Sequence, residues 1–391
     1  MATHLAAITL EKGTPFVVQP RQTPKPGKGE LLIEIKAVAL NPADHLLSDY
    51  GLFIPAYPTV IGFDISGLVL EIGENVPSKP GNGGSGTFFQ PGITRVAAYA
   101  ASFWKSYRPE YGAFQERCLV PWQHAVPITT ESISWNQAAT LPVAAQIPLQ
   151  AWHAMGLLPA GGASDSSSSV SADPVRPDSS KETHNDHMHK REAVLFWGAS
   201  SSVGTMGVQT ARWLREDRHS PVAAVYAVAG AANHRYVSSL GADCVFDHKA
   251  PQVVDAIVSS ATKDGLVIRH CFLATGRLAL CQAVLRAFME SGRRKEDQKA
   301  KIGSAPVIPD DAEEHEGVET IFLAPSADEE ERLAQFQYWM GTWLGKNLGK
   351  GTIRPSPEPQ VVGKGLEAIN EGLNMLRQGV SCSKLVIEVA R

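Results

Sequence analysis

The sequence predicts an α/β protein with two domains, one β-rich and one built on a doubly wound parallel sheet. Its 391 residues are enough for two domains of ordinary size. Before Pro127, short apolar stretches separated by Gly and Pro are typical of a barrel-like β domain. From Ala193 onward, short apolar strands alternate with helical stretches, which is typical of a parallel sheet with crossover helices.

In the β-rich part, apolar runs bounded by turn residues predict strands. Ser134 precedes a run of helix-forming residues and is predicted to cap a helix that continues through Leu141. A second helix is predicted from about Pro148 to Leu157. The predicted strands of this part are residues 31–38, 65–72, 95–99 and 114–120.

The second half of the chain is predicted to repeat strand and helix. The predicted strands are 193–197, 222–228, 244–246 and 271–274, and the predicted helices are 203–214, 233–240 and 253–262. Later helices are predicted at 329–344 and 363–378, and a final strand at 384–389. Two polar stretches without periodicity, 160–190 and 293–316, are predicted to be disordered insertions.

Composition and charge exclude several classes of protein. Apolar residues make up 43% and charged residues 19% of the chain, which excludes wholesale disorder. The net charge of −4 gives no reason to expect a nucleic-acid partner. Five cysteines, none at C-x-x-C spacing, argue against a disulfide framework and a Cys-rich zinc site. We see no signal peptide and no apolar run of the ~20 residues that span a membrane, so a cytoplasmic protein is expected.

The segment from Ala193 to Gly204 carries the clearest chemical signal. A buried strand runs into a turn of small residues and then into a helix. Small residues let the backbone approach a pyrophosphate, and the helix N-terminus offers unpaired N–H groups and a positive dipole end. The alternative is an ordinary tight turn, because Ser replaces the middle Gly of the G-x-G-x-x-G pattern. The predicted dinucleotide-binding residues of the turn are Ser200, Ser201, Ser202, Val203 and Gly204.

The end of the second predicted strand bears on the choice of dinucleotide. An NAD site usually places Asp or Glu there to bind the ribose hydroxyls. Residues 227–236 contain no acid, but they do contain Asn233, His234 and Arg235. This favours NADPH over NADH. The alternative is that His234 and Arg235 simply face solvent on the next helix.

Further motifs follow in a recognisable order along the chain. They are N-P-A-D-H at 41–45, G-F-D-I-S-G at 62–67, G-A-F-Q-E at 112–116, A-A-T-L-P at 138–142, and the segments 238–247 and 365–386. Together with the turn at 197–204 they resemble the medium-chain dehydrogenase/reductase superfamily, in its zinc-free, quinone-oxidoreductase-like branch. Within that branch, the turn and D-Y-G at 49–51 look most like fungal trans-acting enoyl reductases of polyketide pathways.

The resemblance implies a domain division and a set of site residues. It implies a GroES-like catalytic domain at 1–135 and 346–391 and a Rossmann NADP(H)-binding domain at 136–345. Departures from the family are Gly230 for a frequent Ser, Ser238 for a frequent Lys, and Ile147 near the nicotinamide for a frequent Thr. Asp44 is implied at the cofactor, although its own spacing indicates a helix cap. The remaining implied cofactor residues are Gly230, Asn233, Tyr236, His248, Val380 and Ser381.

The resemblance also bears on metal and mechanism. Where zinc-dependent relatives carry zinc ligands, this chain has Asn41, Phe63 and Asp64, so no metal site is expected. Without a Lewis acid, hydride transfer to a conjugated acceptor is easier than reduction of a simple ketone. Hydrogen-bond donors would stabilise the enolate oxygen, and a side chain or water would protonate the α-carbon. His45 and Tyr50 are the candidate proton donors.

Two classes of function are open at this stage. The first is an NADPH-dependent, zinc-independent reductase of activated C=C bonds or quinones, in a narrower form a trans-acting enoyl reductase acting on a substrate tethered to a polyketide synthase. The second is an NADPH-binding protein without efficient catalysis, which Ile147 and the long insertions permit. An alcohol dehydrogenase is disfavoured by the missing zinc ligands. Relatives include monomers and homodimers, so either state is open.

Overall fold

The structure is a computed structural model that describes residues 2–79, 87–158, 191–217, 220–290 and 299–389. The insertion predicted at 160–190 lies outside the described residues, as do residues 293–298 of the second one.

The N-terminal part of the chain is rich in strands, as predicted. All four strands predicted there are present within a few residues of their expected bounds, whereas the first two strands of the chain were missed. The elements in order are β1 (Thr3–Ile8), β2 (Val17–Gln22), β3 (Glu30–Ala39), α1 (Pro42–Tyr50), β4 (Asp64–Ile72), β5 (Arg95–Tyr99), β6 (Arg117–Pro121), β7 (Ala125–Pro127), α2 (Trp135–Ala139) and α3 (Pro142–Ala154).

The central and C-terminal parts follow the predicted alternation of strand and helix. A π-helix, Gln337–Leu344, connects α8 to α9 without a break. The elements are β8 (Glu192–Trp197), α4 (Ser202–Glu216), β9 (Val222–Ala229), α5 (His234–Ser239), β10 (Cys244–Asp247), α6 (Val253–Lys263), β11 (Val267–Leu273), α7 (Leu278–Glu290), β12 (Ala300–Ser304), β13 (Val318–Phe322), α8 (Glu329–Phe336), α9 (Gly345–Gly349), β14 (Pro359–Lys364), α10 (Ala368–Gln378) and β15 (Lys384–Glu388).

Strands β8 to β13 form a parallel sheet in the order β10-β9-β8-β11-β12-β13. Numbered along the chain this order is 3-2-1-4-5-6, the doubly wound arrangement that the sequence predicted. The winding reverses between β8 and β11, which are adjacent strands. In such sheets ligands bind outside the carboxyl ends of the strands at this switch point. The turn after β8 therefore lies where a dinucleotide is expected.

One prediction about the second insertion is wrong. Residues Ala300–Ser304, placed in a disordered stretch at 293–316, form β12, which lies between β11 and β13. Ala300 and Ile302 are buried on that strand. The strand was missed because it is short and its neighbours in sequence are charged, so its burial comes from pairing rather than from a visible apolar run.

A mixed sheet is built from both ends of the chain. Its order is β14-β15-β3-β4-β5-β7, and β6 also pairs with β3. The pairings are antiparallel except for β14 with β15. Because β15 pairs with β3, the C-terminal strands are anchored in the N-terminal sheet. Residues 359–364, in part predicted as helix, form the edge strand β14.

The two sheets have separate cores that meet at a seam. One core packs α3, α4 and the π-helix against the parallel sheet, and another packs between the strands of the mixed sheet. Tyr99 on β5 packs against both cores, so it marks the seam. Gly207 on α4 has no room for a Cβ, which would lie 2.8 Å from the ring of Phe196, so α4 packs tightly on the sheet. Among the described residues, no helix is long and apolar enough to span a membrane.

Candidate active site

The turn between β8 and α4 depends on two glycines. Gly198 has φ +81°, and a Cβ there would lie 2.5 Å from Thr275 Cγ2. A Cβ on Gly204 would lie 2.3 Å from the carbonyl oxygen of Gly198. Both distances are far below van der Waals contact, so the turn is formed by backbone that only glycine allows. The Ser in the middle of the motif does not prevent this tight turn.

The serines of the turn have different roles. Ser201 Oγ accepts a hydrogen bond from Gly204 N at 3.1 Å and donates to the carbonyl of Gly198 at 2.9 Å, so it caps α4. Ser200 and Ser202 are half-buried, and within the described part of the chain their hydroxyls make no hydrogen bond. They flank the N-terminus of the 15-residue helix α4, where anions bind favourably. The turn is therefore suited to a pyrophosphate.

The end of β9 collects several of the residues predicted for the adenosine side. A Cβ on Gly230 would lie 3.5 Å from the His248 ring, so the two are adjacent. Asn233 Nδ2 donates to Ser381 Oγ at 3.0 Å, which brings the C-terminal segment over this end of the sheet. Tyr236 is half-buried, and burial raises its pKa to about 12. Val380 next to Ser381 is exposed.

The alternative that both His234 and Arg235 face solvent holds only for Arg235, which is exposed. His234 Nε2 lies 3.2 Å from the carbonyl oxygen of Ala229. His248 Nδ1 lies 3.8 Å from Asp247 Oδ1. No acidic side chain stands at the end of β9 itself, whose last residue is Ala229.

At the seam lies a buried ion pair that includes Asp64, one of the residues found where zinc-dependent relatives carry zinc ligands. Lys384 Nζ lies 3.0 Å from Asp64 Oδ2, and the two side chains are 3% and 0% exposed. Asn41 donates to Asp64 at 3.1 Å and accepts from Lys384 at 2.5 Å. The second oxygen of Asp64 accepts from Val143 N at 2.8 Å, in the first turn of α3. The ion pair thus ties α1, β4 and β15 to the helix that leads into the parallel sheet.

Asp44 is a helix-capping residue, as its spacing predicted, and it also faces the seam. Its Oδ2 accepts from Asn41 N at 2.7 Å at the start of α1. Its Oδ1 is buried and has no hydrogen-bond partner. Complete burial raises the pKa of this carboxyl to about 7.

The two candidate proton donors lie further along α1. His45 Nδ1 is 3.6 Å from Asp49 Oδ2, and Asp49 in turn binds Arg377 of α10. Arg377 holds the pKa of Asp49 below its usual range. Tyr50 is 63% exposed at the end of the helix.

Sequence reasoning missed three tyrosines of the mixed-sheet part of the chain. Burial raises the pKa of both Tyr99 and Tyr107, and the negative charge of Asp44 adds to the shift in each. Tyr57 adds to the shift of Tyr107. The hydroxyls of Tyr57 and Tyr107 are buried without a partner. Aromatic residues are so frequent in cores that the sequence carried no signal for this grouping.

Comparison with known proteins fits this geometry. Residues 27–130 match the model of the alcohol dehydrogenase GroES-like domain. The chain is 37% identical over 387 residues to the trans-enoyl reductase tndF of Aspergillus flavipes, covering 98% of each chain. The chain belongs to the medium-chain dehydrogenase/reductase superfamily. It is also 37% identical over 331 residues to the trans-enoyl reductase tazE of Aspergillus terreus, covering 84% of this chain and 94% of tazE.

Solved structures of the superfamily share the fold. The CurK enoyl reductase superposes with a TM-score of 0.69 at 16% identity, covering 99% of each chain. The relatives confirm the resemblance to fungal trans-acting enoyl reductases that the motifs indicated. The family match and the shared fold confirm the predicted combination of a GroES-like β-rich part with a Rossmann sheet. The chain is an oxidoreductase of this superfamily, which implies a nicotinamide cofactor.

Proposed function

We propose that this protein is an NADPH-dependent, zinc-independent reductase of an activated C=C bond, acting on an enoyl thioester. The observation that carries the proposal is the combination of a glycine-shaped phosphate turn at the switch point with 37% identity, over nearly the whole chain, to a trans-enoyl reductase. We further propose the division into a catalytic domain, 1–135 and 346–391, and a cofactor domain, 136–345.

The turn and the residues around it fit a dinucleotide. Ser200 and Ser202 would hold the pyrophosphate together with the N–H groups that begin α4. The adenosine end would lie against Gly230, Asn233, Tyr236 and His248, and the nicotinamide against Val380 and Ser381. When bound, the cofactor supplies a hydride. The lack of an acid at the end of β9 supports NADPH over NADH, because a carboxylate there would repel a 2′-phosphate.

The ion pair at the seam supports a mechanism without zinc. A catalytic zinc takes three protein ligands and leaves a position open. Here the Asp64 carboxylate already accepts from Lys384, Asn41 and Val143 N. The ammonium of Lys384 thus neutralises the carboxylate of Asp64, so the donor set is that of an ion pair rather than of a metal site.

An enoyl thioester suits a site of this kind. Reduction of a conjugated C=C places negative charge on the carbonyl oxygen, which hydrogen-bond donors stabilise without a Lewis acid. His45 and Tyr50 remain candidates for the protonation step. The names of the relatives, trans-enoyl reductases, support an enoyl substrate. We propose that it is tethered to the carrier of a polyketide synthase. We also propose a cytoplasmic location and a monomer or homodimer.

The experiment that tests this function follows NADPH oxidation over a panel of acceptors. We expect turnover with an enoyl thioester, weak turnover with NADH, and no loss of rate with a zinc chelator. Turnover of 1,4-quinones alone would replace the proposal by a quinone oxidoreductase. Binding of NADPH with no turnover of free or carrier-tethered acceptors would favour a binding protein without efficient catalysis.

A further inference from the structure

Among the described residues, nine buried side-chain polar atoms have no hydrogen-bond partner. Three of them are Tyr107 Oη, Tyr57 Oη and Asp44 Oδ1. Tyr107 is 3% exposed and Asp44 is fully buried. Nearly all buried polar atoms in proteins are hydrogen-bonded, so a group of unpaired ones needs a reason. Burial and, to a smaller extent, the charges of Asp44 and Tyr57 raise the pKa of Tyr107. The unpaired hydroxyl of Tyr107 is therefore free to bond a ligand.

The backbone holds Tyr107 in place at an energetic cost. Ser106 and Tyr107 both have φ +53°, the left-handed region that residues with a Cβ avoid. Tyr107 N donates to the carbonyl of Ser102 at 2.7 Å, and its own carbonyl accepts from the Thr59 hydroxyl. Strained backbone that is fixed by such bonds is concentrated at functional sites. Here the strain sets the direction of the Tyr107 side chain.

An aromatic path leads from the surface to Tyr107. Phe53 is 71% and Phe103 is 36% exposed. Their rings lie 5.6 Å apart, and the Phe103 ring lies 6.1 Å from that of Tyr107. Exposed aromatic side chains in such a row offer an apolar surface to a ligand. The arm that tethers an acyl thioester would lie on this surface, with the thioester directed toward the buried hydroxyl.

We propose that Tyr107 Oη is the group that protonates the α-carbon of the substrate. This inference rests on the proposed enoyl reduction. Once the β-carbon has accepted a hydride, the electron pair of the former C=C bond lies on the α-carbon and the carbonyl oxygen. The O–H bond of Tyr107 breaks, and a C–H bond forms at the α-carbon. The tyrosinate then takes a proton from solvent, which restores the hydroxyl.

Two features of the region suit this role. Burial and the nearby Asp44 raise the pKa of Tyr107, so its hydroxyl stays protonated and available over the physiological range of pH. The strained backbone of Ser106 and Tyr107 also fixes the position of this hydroxyl. His45 Nδ1 is also buried without a hydrogen-bond partner, but it lies 3.6 Å from Asp49 Oδ2, and Tyr50 is largely exposed.

The test compares Tyr107→Phe with Tyr226→Phe, which removes a hydroxyl bound to Asp264 in the parallel-sheet part of the chain. Tyr107→Phe should lower kcat for the enoyl thioester by about 10²–10⁴-fold. It should leave the dissociation constants for NADPH and for a saturated acyl thioester within about twofold. Because the hydroxyl has no partner, the variant should unfold at the same temperature or higher. Tyr226→Phe should keep its kcat.

A second readout separates proton donation from a structural role. In D₂O the wild type should place deuterium at the α-carbon in one configuration, and residual reduction by Tyr107→Phe should give a mixture. A kcat within a few fold of wild type, or an unchanged configuration, overturns the inference and leaves the enoyl reductase intact. A lowered kcat together with a mixed configuration in Tyr50→Phe or in His45→Gln also overturns the inference. If the wild type reduces no enoyl acceptor, the proposed function fails, and this inference fails with it.

Discussion

The substitution Gly204→Ala tests the phosphate turn with the addition of one methyl group. The added Cβ would lie 2.3 Å from the carbonyl oxygen of Gly198 and 2.9 Å from Cα of Ala199, whereas ordinary contact begins at 3.4 Å. The overlap is about 1 Å. Both atoms belong to the backbone, so the turn itself must move to relieve it.

The expected cost follows from the contacts that such a movement breaks. Overpacking of this kind costs about 1–3 kcal/mol. Opening the turn also weakens the cap that Ser201 Oγ makes to Gly204 N, which is worth about 1 kcal/mol. We expect the free energy of unfolding to fall by roughly 2–4 kcal/mol. Loss of one charge-assisted bond to the pyrophosphate, about 1.5–3 kcal/mol, would weaken NADPH binding by roughly 10–100-fold.

The assay is urea unfolding of the protein together with fluorescence titration of NADPH. Gly349→Ala is the matched control, because its Cβ meets nothing within 4 Å and it lies in a helix, α9. That variant should be as stable as the wild type or about 1 kcal/mol more stable. If Gly204→Ala is too unstable to titrate, Ser202→Ala removes one hydroxyl proposed to bind the pyrophosphate without crowding the turn. Unchanged NADPH affinity in both Gly204→Ala and Ser202→Ala would show that this turn does not bind the pyrophosphate.

Three further substitutions test the seam and the core. Lys384→Met leaves Asp64 buried without its cation and should lower the free energy of unfolding by about 3–5 kcal/mol in a urea titration; a loss below about 1 kcal/mol contradicts the ion pair. Asp44 has a raised pKa, so its contribution to stability is present below about pH 4 and is lost as pH rises through about 7. As the pH rises from about 4 to about 7, Asp44→Asn should therefore gain stability relative to the wild type. A stability difference between the two proteins that does not change with pH would contradict the raised pKa of Asp44. Thr210→Val removes the acceptor of Trp152 Nε1 at 2.8 Å and should cost about 1–3 kcal/mol, whereas a neutral result would show that the indole finds another partner.

Much of the fold was predictable because local sequence patterns determine it. Alternation of short apolar strands with helices gave the parallel sheet, and the small residues at 198–204 gave the phosphate turn. Ser134 caps α2 as its position indicated. The strand β12 was missed, since its burial depends on its two neighbouring strands rather than on its own composition.

The seam could not be predicted in the same way, because its contacts join distant residues. Asn41 and Lys384 are 343 positions apart and meet only because β15 pairs with β3. The unpaired hydroxyl of Tyr107 likewise depends on a strained loop that no sequence pattern announces. The motifs identified the family, whereas the polar groups that would contact a substrate emerged from tertiary structure.

The most direct test of the proposed function is reduction of a carrier-tethered enoyl chain by NADPH in the presence of a zinc chelator. The product is read by mass spectrometry of the carrier. The proposed function predicts a gain of two hydrogen atoms at the C=C bond, with one deuteron incorporated when the reaction is run in D₂O, and no effect of the chelator. A carrier that keeps its enoyl group while NADPH is bound, or a reaction that stops when zinc is removed, would contradict it.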